Sequence, residues 1–196
     1  LGYRCGNAGD MDGDGTDDIG MASIHDDDGG VDAGRLDVYS GATGSLLGSF
    51  QGQGAGDQFG ERFSPAGDVN GDGYSDIIIG SCLYSNGEFK EGKAFVHLGS
   101  AAGVSSNSYW VAESNQPEAE FGISVSTAGD VNGDGYSDII VGASKFDNIQ
   151  IDEGKVFVYQ GSSSGPSLTA NWSLEVDQDS ANFGNCVSTA GDVNGD

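Results

Sequence analysis

Asp130-Val131-Asn132-Gly133-Asp134-Gly135-Tyr136-Ser137-Asp138 sets short oxygen-bearing side chains at its first, third, fifth and ninth positions: Asp130, Asn132, Asp134 and Asp138. The main-chain carbonyl of Tyr136, at the seventh, completes a set of hard oxygen donors in a tight loop, which is the ligand chemistry of Ca²⁺. Gly133 and Gly135 allow the backbone to wrap an ion, since glycine adopts positive φ without a Cβ clash. The pattern recurs. Asp68, Asn70, Asp72, Tyr74 and Asp76 fill the same five places upstream, and Asp10, Asp12, Asp14, Thr16 and Asp18 form a more acidic version. A further copy begins with Asp192, Asn194 and Asp196. Successive loops start 58, 62 and 62 residues apart, and repetition at a near-constant period dictates architecture before any other signal.

Working outward from the loops, each unit shows one order of features. An aromatic-glycine pair comes first: Phe59-Gly60, Phe121-Gly122 and Phe183-Gly184, with Leu1-Gly2 in the first unit. A short strand leads into the loop (Tyr3 to Ala8, Glu61 to Ala66, Ile123 to Ala128, Asn185 to Ala190). An apolar run follows it and reads as a buried strand (Ile19 to Ser23, Ile77 to Ser81, Ile139 to Ala143). After a polar connection, third strands begin Gly34-Arg35, Gly92-Lys93 and Gly154-Lys155. Fourth strands span Ser45 to Phe50, Ser108 to Glu113 and Ala170 to Val176. Four short strands per unit, repeated, describe the blades of a β-propeller. The sequence therefore predicts an all-β chain of three four-stranded antiparallel blades, about 1–58, 59–120 and 121–182, with the first strand of a fourth in 183–196. Leu1 falls inside one unit and Asp196 inside another, so the chain reads as an excerpt of a longer array, its ring completed by further blades or another chain.

Phe121-Gly122, Asp130 to Gly135 and Val141-Gly142-Ala143-Ser144 resemble the FG-GAP repeat, which builds the seven-bladed propeller of integrin α subunits and of many bacterial surface and secreted proteins. The first unit departs from it at Leu1-Gly2 and at Ala22-Ser23-Ile24. The resemblance implies an extracellular or cell-surface protein, with its ligand on the face opposite the aspartate loops. That face gathers the connections 24–33, 82–91 and 144–153, where Tyr84, Phe89 and Phe146 are candidate anchors for a protein or carbohydrate.

Composition narrows the function further. The net charge is −24, from 31 acidic and 7 basic residues, which repels nucleic-acid phosphates and anionic membranes. No apolar run reaches the length of a membrane-spanning helix. The loops are not EF-hands: the twelfth position, bidentate Glu in that motif, is Met21, Ile79 or Val141. Ca²⁺ is favoured over Mg²⁺, which dehydrates reluctantly and seldom accepts an all-protein cage. One ion per complete repeat is expected, bound most tightly where Asp12 replaces Asn70 and Asn132.

Catalysis finds no constellation. His97 aligns with Tyr39 and Tyr159 and reads as a strand side chain, while His25 sits beside Asp26, Asp27 and Asp28 in a variable loop. Cys5, Cys82 and Cys186 occupy unrelated repeat positions and read as free thiols, with a Cys5–Cys186 bridge the alternative. Trp110 and Trp172 match and read as packing between blades. The expectation is a non-catalytic, Ca²⁺-stabilised propeller for adhesion or ligand binding. The alternatives are the propeller portion of a secreted enzyme of lipase or polysaccharide lyase type, and a structural subunit of a surface layer or filament.

Overall fold

The computed structural model describes residues 2–191. Leu1 lies outside the described residues, as do the candidate ligands Asp192, Asn194 and Asp196. Twelve strands run in order: β1 (Arg4–Gly9), β2 (Asp18–Ser23), β3 (Arg35–Tyr39), β4 (Leu46–Gln51), β5 (Arg62–Gly67), β6 (Asp76–Ser81), β7 (Lys93–His97), β8 (Trp110–Glu113), β9 (Phe121–Gly129), β10 (Asp138–Ala143), β11 (Lys155–Tyr159) and β12 (Trp172–Glu175). They form three antiparallel meanders, β1-β2-β3-β4, β5-β6-β7-β8 and β9-β10-β11-β12, consistent with propeller blades.

The first strand of each blade ends in the same irregularity. Asn7 pairs with Ile19 but Gly9 with Asp18; Pro65 pairs with Ile77 but Gly67 with Asp76; Thr127 pairs with Ile139 but Gly129 with Asp138. One residue is extra on the first strand each time, and the glycine takes φ between +76° and +84°. Such a bulge bends the strand and re-aims the chain, here into the aspartate loop.

Burial follows position in the stack rather than sequence. In β6, Ile77 and Ile79 pack towards the first blade with Leu36, Phe50, Phe59 and Phe63, while Ile78 packs towards the third with Val125 and Ile139. Successive strand residues point to opposite faces, so a sheet covered on both sides buries every position. All six residues of β6 are buried. The equivalent β2 has one uncovered side, and Ile19 is 42 % exposed where Ile77 is 0 %. The blade contact depends on glycine as well. A Cβ on Gly80 of β6 would run into the carbonyl of Gly122, and one on Gly142 into that of Gly184. The two glycines of the repeat signature thus face each other across neighbouring blades.

The pairs Phe121-Gly122 and Phe183-Gly184 reach back to the preceding blade, through the parallel bridges Gly92–Phe121 and Gly154–Phe183. Trp110 packs between blades as expected: its ring lies 4.8 Å from that of Tyr159, and its Nε1 donates to the Ser167 carbonyl at 2.9 Å. Trp172, with no further blade against it among the described residues, is 48 % exposed. The stretch 185–190, expected as a strand, forms none. First strands pair with the second strand of their own blade, and no such strand for it exists among the described residues. Cys5, Cys82 and Cys186 are free thiols, and the alternative Cys5–Cys186 bridge does not form.

Candidate metal centres and the opposite face

The loops between first and second strands are wound by their own side chains. Asp10 accepts the N–H groups of Asp14 and Gly15 at 3.0 and 2.9 Å, Asp12 accepts Asp14 N–H at 3.1 Å, and Asp14 accepts Thr16 N–H at 2.9 Å. Asp68, Asn70 and Asp72 repeat this on Asp72, Gly73 and Tyr74; Asp130, Asn132 and Asp134 repeat it on Asp134, Gly135 and Tyr136. Aspartate and asparagine side chains readily bond main-chain N–H groups two residues on, which folds the loop without a metal. Asp130 is held below the usual carboxylate range, chiefly by the Gly135 N–H.

The ninth position behaves differently. Asp18, Asp76 and Asp138 are buried, and each carboxylate bridges two segments. One oxygen accepts the N–H of the second loop residue: Met11 at 2.7 Å, Val69 at 2.8 Å, Val131 at 2.8 Å. The other accepts a glycine N–H in the turn between third and fourth strands: Gly41 at 3.1 Å, Gly99 at 3.1 Å, Gly161 at 2.8 Å. This clamp is absent from the sequence reading. Its signal was available: the glycine follows the aspartate by 23 residues in every blade. Burial raises all three acids despite these bonds, Asp76 to about 7, and the neighbouring loop carboxylates add to the rise.

In the first loop, carboxylate oxygens of Asp10, Asp12 and Asp18 lie within 4.8 Å of one another, the one such acidic group among the described residues. Opposite ligands of a Ca²⁺ ion stand about 5 Å apart, given bonds of 2.3–2.6 Å. The group can therefore hold a metal ion. Asp14 does not join it; its Oδ1 is turned to the Thr16 N–H. The second and third loops offer Asn70 and Asn132 at the third place, so an amide oxygen stands where the first loop has a third carboxylate.

The first two loops also touch the next blade. Ser100 N–H donates to the Met11 carbonyl at 2.9 Å and Ser162 N–H to that of Val69 at 3.2 Å. A Cβ on Gly13 would come within 2.6 Å of the Tyr74 ring, and one on Gly71 within 2.6 Å of Tyr136. The two tyrosines at the seventh position thus lie over the preceding loop.

On the opposite face, Tyr84 and Phe146 turn inward. The Lys93 ammonium sits 4.5 Å from the Tyr84 ring centre and that of Lys155 5.0 Å from Phe146, whose ring is 5.8 Å from Phe157. Both lysines also pair with glutamates, Glu113 and Glu175, at 2.9 Å. Phe89 is the exposed aromatic of the three, at 60 %. His97 is buried against Phe50 with ring centres 4.0 Å apart, and burial pushes it down to about 4. His25 lies 2.7 Å from Asp32, while Asp26 and Asp28 each stand 3.8 Å from Arg35.

With this geometry in place, comparison with known proteins adds the following. The FG-GAP repeat family matches residues 59–94 and 121–159. Integrin alpha-PS2 of Drosophila melanogaster is 32 % identical over 173 residues, which span 85 % of this chain and 12 % of that protein. Integrin alpha-7 of Homo sapiens is 40 % identical over 102 residues, 50 % of this chain and 8 % of that protein. The chain thus spans about a tenth of the length of the curated relatives it matches. Among solved structures, rhamnogalacturonan lyase YesW shares the fold with a TM-score of 0.53 at 13 % identity, over 89 % of this chain and 34 % of that one.

Proposed function

Because the chain is an FG-GAP repeat protein with integrin α relatives, we propose that it is a non-catalytic binding module, shaped by Ca²⁺ in its aspartate loops, that engages a protein or carbohydrate on the face opposite them. One observation carries the reading. Val31, Phe89 and Ile151 hold the same repeat position in the three blades and stand 68 %, 60 % and 68 % exposed. Each is fixed from behind, its carbonyl accepting the N–H of Gly56, Glu118 or Ser180 at 2.7–2.9 Å. Large apolar side chains displayed in register on a rigid edge are costly to leave in water and mark interaction surfaces. Asp32, Glu88 and Asp152 lie next to them in sequence, so a protein surface with an apolar centre and basic rim suits the face best.

The ions would be held by Asp10, Asp12, Asp14, Asp18 and the Thr16 carbonyl in the first loop. Asp68, Asn70, Asp72, Asp76 and the Tyr74 carbonyl would serve in the second, and Asp130, Asn132, Asp134, Asp138 and the Tyr136 carbonyl in the third. Bound Ca²⁺ supplies charge compensation and a cross-link between strands, not chemistry. The integrin alpha relatives support an extracellular or cell-surface location. Among the described residues no helix is long and apolar enough to cross a membrane. Further blades or another chain would cover Ile19 on one outer face and Trp172 and Leu174 on the other, all three well exposed.

The experiment is a paired screen in Ca²⁺ of the native chain and a Val31→Ser/Phe89→Ser/Ile151→Ser variant against protein and glycan arrays. Ligands retained by the native chain and lost by the variant are expected; identical profiles would reject the face. A second reading, a non-catalytic portion of a secreted polysaccharide lyase, draws on the fold shared with YesW. A fold alone supports it, so it ranks behind.

A further inference from the structure

Two grooves occupy equivalent places, one where the first blade meets the second and one where the second meets the third. Each is walled by the end of one blade's fourth strand and by the third strand of the next. Strand register fixes the correspondence. Gln51 stands opposite Arg35 as Glu113 does opposite Lys93, and His97 opposite Ile77 as Tyr159 does opposite Ile139.

The two grooves differ in chemistry. Val111, Ala112, Leu168 and Ala170 line the second, together with the acid Glu113. None of the residues lining the first is ionised, on a chain whose net charge is −24. Its floor is aromatic and fixed. Phe50 and His97 have ring centres 4.0 Å apart, Phe59 and Phe95 5.1 Å, and all four are buried. His97 Nδ1 meets the Ser105 carbonyl at 3.1 Å, and burial keeps the ring uncharged near neutral pH.

The mouth of the first groove carries the amides of Gln53 and Asn107 and the hydroxyls of Ser106 and Ser108. Hydrogen bonds in that turn use the Ser105 hydroxyl and the carbonyls of Ser105 and Asn107, which leaves the Ser106, Asn107 and Ser108 side chains uncommitted. The repeat does not demand this mouth, since the second junction is closed by Leu168 and Ala170 in place of Ser106 and Ser108.

Amides and hydroxyls each donate and accept, and carry no charge. An ionic ligand would lose water and find no counter-charge in the groove. An apolar one would leave the amides and hydroxyls unpaired. A neutral ligand dense in hydroxyls satisfies both conditions. The groove encloses about 310 Å³, at the small end of ligand sites. We propose that the junction of the first and second blades binds a neutral sugar unit, held at its hydroxyls by Gln53, Asn107, Ser106 and Ser108 over the Phe50–His97 floor. The site shares no residue with the apolar edge of Val31, Phe89 and Ile151, so neither reading depends on the other.

Saturation-transfer NMR tests the site, using methyl glycosides of the common neutral hexoses, deoxyhexoses, pentoses and N-acetylhexosamines, with methyl glucuronide as the acidic counterpart. At least one neutral glycoside is expected to bind the native chain, and the glucuronide not to bind. Gln53→Ala/Asn107→Ala should weaken that binding about tenfold or more, while Asn115→Ala/Thr169→Ala in the second groove and Phe89→Ser should leave it unchanged. No transfer to any neutral glycoside overturns the proposal, as does a preference for the glucuronide or undiminished binding by Gln53→Ala/Asn107→Ala. Loss with Phe89→Ser alone would place the sugar on the opposite face and overturn the groove without touching the other reading. Should the double variant not fold, crystals of the native chain soaked in the bound glycoside decide: density beside Gln53 and Asn107 is expected, and density elsewhere overturns the site.

Discussion

The main-chain carbonyl of Asp10 accepts the N–H of Ser75 at 3.0 Å, so one residue offers its carboxylate to the acidic group of its own loop and its backbone to the next blade. Asp68 and Ser137 repeat the contact at 2.9 Å. An ion gripping Asp10 therefore bears on the junction between blades as well as on its hairpin.

Chelation is accordingly expected to lower the melting temperature, and added Ca²⁺ to restore it. A site that binds only the folded chain contributes about 2.7 kcal/mol at a metal concentration one hundred times its Kd. Scanning calorimetry with and without excess chelator measures this; superimposable curves would reject a stabilising ion.

Asp72 and Asp76 should separate binding from folding. Asp72 is exposed and its loss is expected to weaken Ca²⁺ binding with little effect on metal-free stability. Asp76→Ala strands the buried N–H groups of Val69 and Gly99, at roughly 1–3 kcal/mol for each orphaned donor. Urea unfolding in chelator should show a lowered midpoint for Asp76→Ala alone. Equal midpoints for both variants would contradict the clamp.

The first loop should bind most tightly, since Asp12 adds a charge that Asn70 and Asn132 lack. Asp12→Asn is expected to bring its affinity down to that of the other two in isothermal titration. An unaltered binding curve would count against the ranking.

His97 makes stability fall in acid. Burial lowers its pKa to about 4, so between about pH 6.5 and 4 the unfolded chain takes up a proton that the folded chain refuses. The unfolded state binds more protons there, so stability is full above this window and is lost as pH falls through it, by roughly 3 kcal/mol in all. His97→Phe should change the slope of a plot of urea midpoint against pH across this window by that amount, leaving the opposite contribution of Asp76, whose raised pKa makes the folded chain take up a proton there. An identical slope in the variant would refute the assignment.

Gly80→Ala should loosen the junction of the second and third blades, because its methyl would meet the Gly122 carbonyl. Overpacking of this kind costs roughly 1–3 kcal/mol. Ala22 holds the matching place in the first blade with Gly60 packed against it, so backbone there has already adjusted. A native urea midpoint for Gly80→Ala would show that the second junction adjusts as easily.

The strands were legible because their signals are local. Alternation, turn residues and the repeated loop located all twelve within two residues at either end. Tyr84 and Phe146 illustrate what was not legible. Both belong to connections that vary in sequence, and nothing in their spacing announces that Lys93 and Lys155 draw their rings inward. Phe89, in the same kind of segment, stays exposed.

Sequence alone determined the unit: its four strands and a loop whose oxygens sit at alternating positions, since both depend on residues a few places apart. Tertiary structure decided which residues are buried, where Asp18, Asp76 and Asp138 anchor, and why Gly80 must lack a side chain. Those outcomes depend on groups brought together across sheets, and the closeness of two surfaces is set by packing rather than by any spacing along the chain.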